Sequence, residues 1–135
     1  EKFRTLADHF PDPIFVADPE DAAVPLRILY ASRAVLETHG YAPEEVVGQS
    51  LLTMLDTPDT ADAAPQRLER LLREGSCTFE ARHRHRDGHV FPLEVRAGLI
   101  SWLGRRAILG IDRDLSQLRQ TEQQLKLLEA CVVQM

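Results

Sequence analysis

Three histidines and three arginines within eight residues could bind a metal ion or an anion: Arg82, His83, Arg84, His85, Arg86 and His89. Side chains two residues apart share one face of a β-strand, so His83 and His85 would lie together, with His89 across a turn. A metal site needs three or four ligands, and we expect no cysteine or carboxylate on that face. We therefore predict no metal there. We favour a solvated, basic strand end, in which His83 is a hydrogen-bonded core residue. The alternative is that His83 points into a pocket and donates a hydrogen bond to a ligand there.

The same basic stretch is a poor candidate for nucleic-acid binding. No aromatic residue interleaves with the arginines to stack on bases. The whole chain of 135 residues has a formal net charge of −5, whereas nucleic-acid-binding domains are typically basic. We therefore predict no nucleic-acid partner.

The remaining polar residues form no recognisable catalytic constellation. The serines lie outside any nucleophile-elbow sequence, and there is no glycine-rich phosphate loop. Glu44 and Glu45 suit the positive end of a helix better than acid–base catalysis. Cys77 and Cys131 have no metal-ligand spacing and are expected to be reduced thiols of a cytoplasmic protein. No run approaches the ~20 apolar residues of a membrane span. We predict a non-catalytic domain with no direct membrane contact.

Two extended segments flank Asp87-Gly88 and position the histidines. Asp-Gly between strand-like runs is a strong hairpin signal. Beyond the turn, Phe91, Leu93 and Val95 alternate with other residues, which predicts one buried face. The predicted strands cover residues 13–18, 27–31, 77–86, 89–101 and 106–112. A sheet with one apolar face must be covered by other elements.

Helical spacing and stop signals predict the elements that cover the sheet. Ser32 can cap a helix that ends at Gly40, and Pro43 suits the first turn of the next helix. The predicted helices cover residues 3–10, 32–39, 43–48 and 62–74, whereas 49–55 is expected to be a buried connector and 57–60 a loop. Asp114 then caps a trailing helix that runs to the end of the chain.

The trailing helix has a heptad pattern that predicts pairing with a second helix. Positions a are Leu118, Leu125 and Val132, and positions d are Thr121, Leu128 and Met135. Polar Thr121 interrupts the seam. We expect a homodimer held by Leu118, Leu125, Leu128 and Val132.

Five segments in this order and spacing resemble a PAS domain: residues 12–18, 28–32, 40–48, 86–95 and 110–114. The resemblance implies an α+β fold, with a five-stranded antiparallel sheet in the order 2-1-5-4-3, short helices on one face and a trailing C-terminal helix. Ser32 replaces the usual Asn, and Ala42 replaces a capping Ser or Thr. The implied organisation is an N-terminal helix at 1–11, a PAS core at 12–114 and a signalling helix or linker at 115–135.

The resemblance implies a pocket between the sheet and the short helices. Its expected lining, for which simple core packing is the favoured alternative, is Ile28, Tyr30, Leu51, Met54, Leu68, Leu71, Phe79, His83, Leu93, Val95 and Leu109. Leu51 stands where a photosensor would carry its reactive cysteine, so a thiol-adduct flavin is disfavoured. Haem is disfavoured because residues 62–74 contain no histidine. His39 is nearby and is expected to be a partly exposed structural residue. The identity of any cofactor stays unknown, and a domain without a cofactor is the alternative.

The functional prediction follows from the same resemblance. Residues 120–133 look like the leader between PAS domains in bacterial multi-domain proteins, which often end in GGDEF or EAL modules that make or break cyclic di-GMP. We expect a cytoplasmic sensory module that binds a small ligand or a partner and relays the signal through Asp112 and Asp114 to a downstream domain of the same chain. The alternatives are the sensor of a histidine kinase and a ligand-free interaction module. Since the chain starts and stops inside helix-like sequence, we expect it to be part of a longer protein.

Overall fold

A computed structural model describes residues 2–133 and contains one antiparallel sheet. Its strands are β1 (Ile14–Asp18), β2 (Arg27–Ala31), β3 (Ser76–Arg84), β4 (Val90–Trp102) and β5 (Arg105–Asp114). The strand order is β2-β1-β5-β4-β3, and every neighbouring pair is antiparallel. The predicted fold class is confirmed. Each predicted strand is present, with ends that differ by at most two residues.

Seven helices lie in the described part of the chain. They are α1 (Lys2–Asp8), α2 (Val35–His39), α3 (Pro43–Val46), α4 (Leu51–Met54), α5 (Pro58–Asp62), α6 (Ala64–Glu74) and α7 (Ser116–Val133). The connector predicted at 49–55 and the loop predicted at 57–60 were wrong, because they contain α4 and α5. Ser50 starts α4 by accepting a hydrogen bond from the Leu52 amide. Both helices are about one turn long, which is too short for a periodic pattern. In the described residues, no helix is long and apolar enough to cross a membrane.

The strand β1 shows how side chains divide between the two faces of the sheet. Val16 pairs with Tyr30 on β2 and with Leu109 on β5, and all three pack in the cluster that contains residues of α1. Its neighbours Phe15 and Ala17 point to the opposite face, because side chains alternate along a strand. That opposite face lies under α4 and α6 and forms the inner face of the domain.

The predicted hairpin turn between β3 and β4 is confirmed at residues 85–89. The Gly88 amide donates to the His85 carbonyl at 2.9 Å, and the His85 amide donates to the His89 carbonyl at 2.8 Å. Gly88 has a φ of 98°, a region that glycine adopts without steric cost. His89 lies at the surface, whereas His83 is buried.

Two residues were predicted to cap helices, and the structure confirms one of these caps. Asp114 does cap α7, since its carboxylate accepts a hydrogen bond from the Ser116 amide at 2.8 Å. The cap predicted at Ser32 was wrong. Its hydroxyl accepts a hydrogen bond from the Ile14 amide at 2.8 Å and so fastens the start of β1, while Ala34 precedes α2.

Candidate functional site: a small cavity and a buried histidine cluster

A cavity of about 80 Å³ lies between the inner face of the sheet and helices α4 and α6. A space of this size can hold more than one water molecule or a small ligand. Most of its wall is apolar. Four side chains contribute polar atoms to the lining: Asp56, Arg67, His83 and Asp112. An apolar cavity with a few convergent polar groups is the usual form of a small-molecule site.

Six of the residues predicted to line a pocket do line this cavity: Leu51, Leu68, Leu71, Phe79, His83 and Val95. Ile28, Met54 and Leu93 pack in the inner core without reaching it. Tyr30 and Leu109 were assigned to the wrong face. They pack on the α1 side of the sheet, where the Tyr30 hydroxyl donates to Asp8 at 3.1 Å.

His83 is the centre of a buried polar cluster at one end of the cavity. Its Nε2 lies 3.0 Å from Oδ1 of Asp56, and its Nδ1 lies 2.8 Å from Nε2 of His39. The same Nδ1 lies 3.8 Å from Oδ2 of Asp112. All four residues are at most 4% exposed. The expectation that no carboxylate would join His83 was therefore wrong.

His39 was predicted to be partly exposed, and the structure corrects this: its exposure is 0%. The rings of Phe15 and Phe91 meet it edge-on, with centroids 5.6 and 5.1 Å away. This burial lowers the pKa of His39 to about 3, with a smaller effect from His83. His39 is therefore neutral near pH 7, and its Nδ1 lies 2.7 Å from the hydroxyl of Thr38.

Asp112 lies on β5 with its carboxylate turned into the cavity. Burial raises its pKa to about 6, and the positive charge that His83 can carry opposes that rise. Among the described residues, its carboxylate contacts His83 only at 3.8 Å, which is too long for a hydrogen bond. Asp112 is thus a buried acid that is free to bind something in the cavity.

Arg67 on α6 supplies the cationic wall of the cavity. Its guanidinium carbon lies 4.5 Å from the centre of the Phe79 ring, a cation–π distance. Its Nη2 donates to the Thr60 carbonyl at 2.8 Å and lies 4.0 Å from Oδ2 of Asp56. Desolvation lowers the pKa of Arg67, which still stays charged.

A second group of polar side chains lies in the turn at 85–89. The rings of His85 and His89 stack with centroids 4.6 Å apart, and Nδ1 of His89 lies 2.6 Å from Asp87. Asp87 and His89 are exposed to solvent. The turn is therefore the solvated, basic end that was predicted, and only His83 of the three histidines joins the interior.

Sequence reasoning missed Asp56 and the inward direction of Asp112. One signal was present for Asp112. Ile108, Gly110 and Asp112 alternate along β5, and the first two face the cavity, so the third must do so as well. No local pattern indicates Asp56, which lies between α4 and α5 and reaches His83 only through the tertiary fold.

One antiparallel sheet, short helices over its inner face, a small cavity between them and a helix after the last strand define a class of α+β domain. A family model described as "PAS domain" matches residues 11–117. The chain belongs to the PAS domain family. PAS domains are sensor modules of signalling proteins and are generally non-catalytic.

Known proteins with similar sequences and structures agree with this assignment. A curated relative, the methyl sulfide methyltransferase-associated sensor of Methanosarcina acetivorans, is 27% identical over 121 residues, or 90% of this chain. The chain spans 12% of that relative's length. The PAS domain of a Colwellia psychrerythraea protein has a TM-score of 0.72 at 24% identity and covers 86% of this chain and 96% of its own. The PAS domain of an HTR-like protein from Haloarcula marismortui has a TM-score of 0.70 at 25% identity, with coverages of 84% and 88%.

Proposed function

We propose that this chain is the sensory module of a bacterial signal-transduction protein. A small ligand in the cavity, or a partner on the sheet, changes the packing of the inner face, and β5 carries the change to α7. The observation that supports this most directly is the position of Asp112. Its free carboxylate faces the cavity, and it lies two residues before Asp114, which caps α7.

The start of α7 is fixed to the sheet by hydrogen bonds and an ion pair. Such a connection suits the transmission of a structural change from β5 to α7. Asp112 and Asp114 pair in register with β4. The Leu115 amide donates to the Pro92 carbonyl at 2.9 Å, and Arg119 pairs with Glu80 of β3. A shift of β5 that is driven from the cavity would therefore move the first turn of α7.

The rest of α7 carries an unpartnered apolar seam, which supports the proposal of a homodimer. Leu118, Leu125, Leu128 and Val132 are 54%, 55%, 65% and 68% exposed. Burying each against a second copy would contribute at most about 1.5–3 kcal/mol. Paired helices have discrete alternative packings, so the seam can act as a two-state output.

The output domain that we propose is a GGDEF or EAL module acting on cyclic di-GMP in the cytoplasm. This rests on the sequence of α7, which looks like the leader found in such proteins. A histidine kinase is the alternative, because kinases use similar helices. The sequence downstream of Met135 in the natural protein distinguishes the two.

The test of the sensor is native mass spectrometry and an absorbance spectrum of freshly purified protein, beside the variant Ala81→Leu. Ala81 lines the cavity, so the larger side chain would occupy it. The expected result is a bound small molecule that Ala81→Leu loses and that the matched control Ala22→Leu, at an exposed loop position, retains. An empty wild-type protein that also fails to respond to a ligand screen would instead indicate an interaction module that works without a ligand.

A further inference from the structure

The cluster at the end of the cavity has the composition of a metal site. Nε2 of His39, Nδ1 of His83 and a carboxylate oxygen of Asp112 all lie within 4.8 Å of one another. We propose that these three residues bind a divalent transition-metal ion, such as Zn²⁺ or Fe²⁺. Two imidazoles and one carboxylate suit these ions, whereas Mg²⁺ and Ca²⁺ prefer oxygen ligands alone.

Binding an ion would require only small changes in the distances between the ligand atoms of these residues. Ligands at 2.0–2.1 Å from a tetrahedral ion lie roughly 3.3 Å from one another. The gap between His39 and His83 is 2.8 Å, and that between His83 and Asp112 is 3.8 Å. Each therefore has to change by about half an ångström, which small movements of the rings and of the carboxylate supply.

The outer partners of both histidines are already in place. Nε2–H of His83 donates to Asp56, which leaves Nδ1 with its lone pair directed at the site. This is the carboxylate–histidine–metal arrangement that orients metal ligands. Nδ1 of His39 contacts the Thr38 hydroxyl, which also lies 3.0 Å from the Ala34 carbonyl. When this hydroxyl donates to Ala34, its oxygen accepts a hydrogen bond from Nδ1–H of His39, and Nε2 of His39 is free to bind the ion.

The carboxylate of Asp112 is the part of the cluster that a proton shared by the two histidines leaves unused. A hydrogen bond between His39 and His83 satisfies both rings. The carboxylate of Asp112 faces the cavity, 3.8 Å from Nδ1 of His83, and its oxygens are available to a ligand there. The cluster also contains two carboxylates, Asp56 and Asp112, whereas the permanently charged cation in the cavity wall is Arg67, 4.0 Å from Asp56. A doubly charged ion that touches Asp112 would balance this charge.

The cavity gives such an ion an open coordination position. His83 and Asp112 both line it. Three protein ligands leave the fourth position of a tetrahedral ion facing the cavity, where water or a small ligand can bind. The metal site stands independently of the proposed output and of any organic ligand. A protein that carries an organic ligand but binds no metal would refute the metal site alone.

The test uses the whole 135-residue chain, stripped with a chelator and titrated with Zn²⁺ by calorimetry and with Co²⁺ by visible absorbance. We expect one ion per chain and the visible bands of Co²⁺ bound in a tetrahedral nitrogen–oxygen site. His39→Gln and Asp112→Asn should each weaken binding by more than about tenfold, and Asp56→Asn by about tenfold or more. Zn²⁺ should raise the unfolding temperature of the wild type and not that of Asp112→Asn.

The matched control is His89→Gln, in the exposed group formed by His85, Asp87 and His89, which is the other candidate site in the described residues. Its affinity should equal that of the wild type. The proposal is overturned if the wild type binds no metal, or if His89→Gln loses binding while Asp112→Asn keeps it. Asp112→Asn retains the volume of the side chain, so it decides the question even if His39→Gln fails to fold.

Discussion

Nε2 of His39, at the end of α2, lies 2.8 Å from Nδ1 of His83 on β3. This contact joins two residues that are 44 positions apart in the sequence, and both are almost completely buried. It fastens the helical cover to the sheet at the polar end of the cavity. A buried hydrogen bond of this kind fixes the orientation of both rings, because each lost partner would leave a polar atom unsatisfied.

Replacing His39 should reveal how much this contact stabilises the fold. His39→Leu leaves Nδ1 of His83 without a partner in the interior, so we expect the free energy of unfolding to fall by about 1–3 kcal/mol. Urea unfolding in the presence of a chelator measures this without a contribution from metal. The exposed residue His89 is the control, and His89→Leu should change stability by less than about 0.5 kcal/mol. Equal effects of the two substitutions would contradict the buried contact.

Gly40 allows the chain to turn directly after His39. Its φ is +81°, and an added Cβ would lie 2.5 Å from Cε1 of His85. Gly40→Ala should cost about 1–3 kcal/mol of stability from the backbone alone, with a further cost from the contact. Gly48→Ala is the control, since Gly48 has a φ of +92° but nothing lies within 4 Å of an added Cβ.

A double variant separates the cost of the backbone conformation at Gly40 from the cost of the contact with His85. Gly40→Ala combined with His85→Ala removes the ring that the new methyl group would meet and leaves the Cβ of Arg86, 3.1 Å from the added Cβ, as the remaining close neighbour. Its loss of stability, relative to His85→Ala alone, should fall below that of Gly40→Ala in the wild type and stay above that of Gly48→Ala. If Gly40→Ala costs no more than Gly48→Ala in the wild-type background, the close approach of His85 has no energetic role.

The order of the strands could be predicted, whereas the direction of the Tyr30 side chain could not. The strand order was implied by the resemblance of five segments to a PAS domain. Tyr30 was expected to line the pocket together with Ile28, which lies two positions away and would share its face in a regular strand. The register between β1 and β2 shifts between Val16 and Ala17, so Ile28 pairs with Ala17 while Tyr30 pairs with Val16. A bulge of this kind reverses the faces, and nothing in the local sequence indicates it.

Only part of the candidate site was predicted, because a sequence pattern indicates the direction of a side chain on a strand and not on a short helix or a connection. His83 was recognised because Phe79, Ala81 and His83 alternate along one strand. His39 and Asp56 lie on segments that have no alternation to count. Whether such residues point inward depends on how α2 and the α4–α5 connection fold over the sheet, which is a property of tertiary packing and not of spacing.

The loop between β1 and β2 should make stability depend on pH. Asp21 accepts hydrogen bonds from the Val24 and Ala23 amides and from Arg27, and these hold its pKa at about 2. Because this value lies below that of the unfolded chain, Asp21 stabilises the fold above about pH 4 and loses that effect as the pH falls towards 2. Asp21→Asn should therefore flatten the decline of unfolding temperature over this range. An unchanged slope would show that these hydrogen bonds are not formed in solution.

The seam of α7 gives the sharpest test of assembly. If Leu118, Leu125, Leu128 and Val132 pair across a dimer, Leu125→Asp places a charge in each half of the interface. Losing about 1.5–3 kcal/mol of burial from each of two copies should raise the dissociation constant at least a hundredfold. Light scattering over a concentration series measures this. Gln124→Asp is the matched control, because it adds the same charge one position away from the seam and should leave the dimer intact. A wild-type chain that stays monomeric at every concentration would refute pairing through α7.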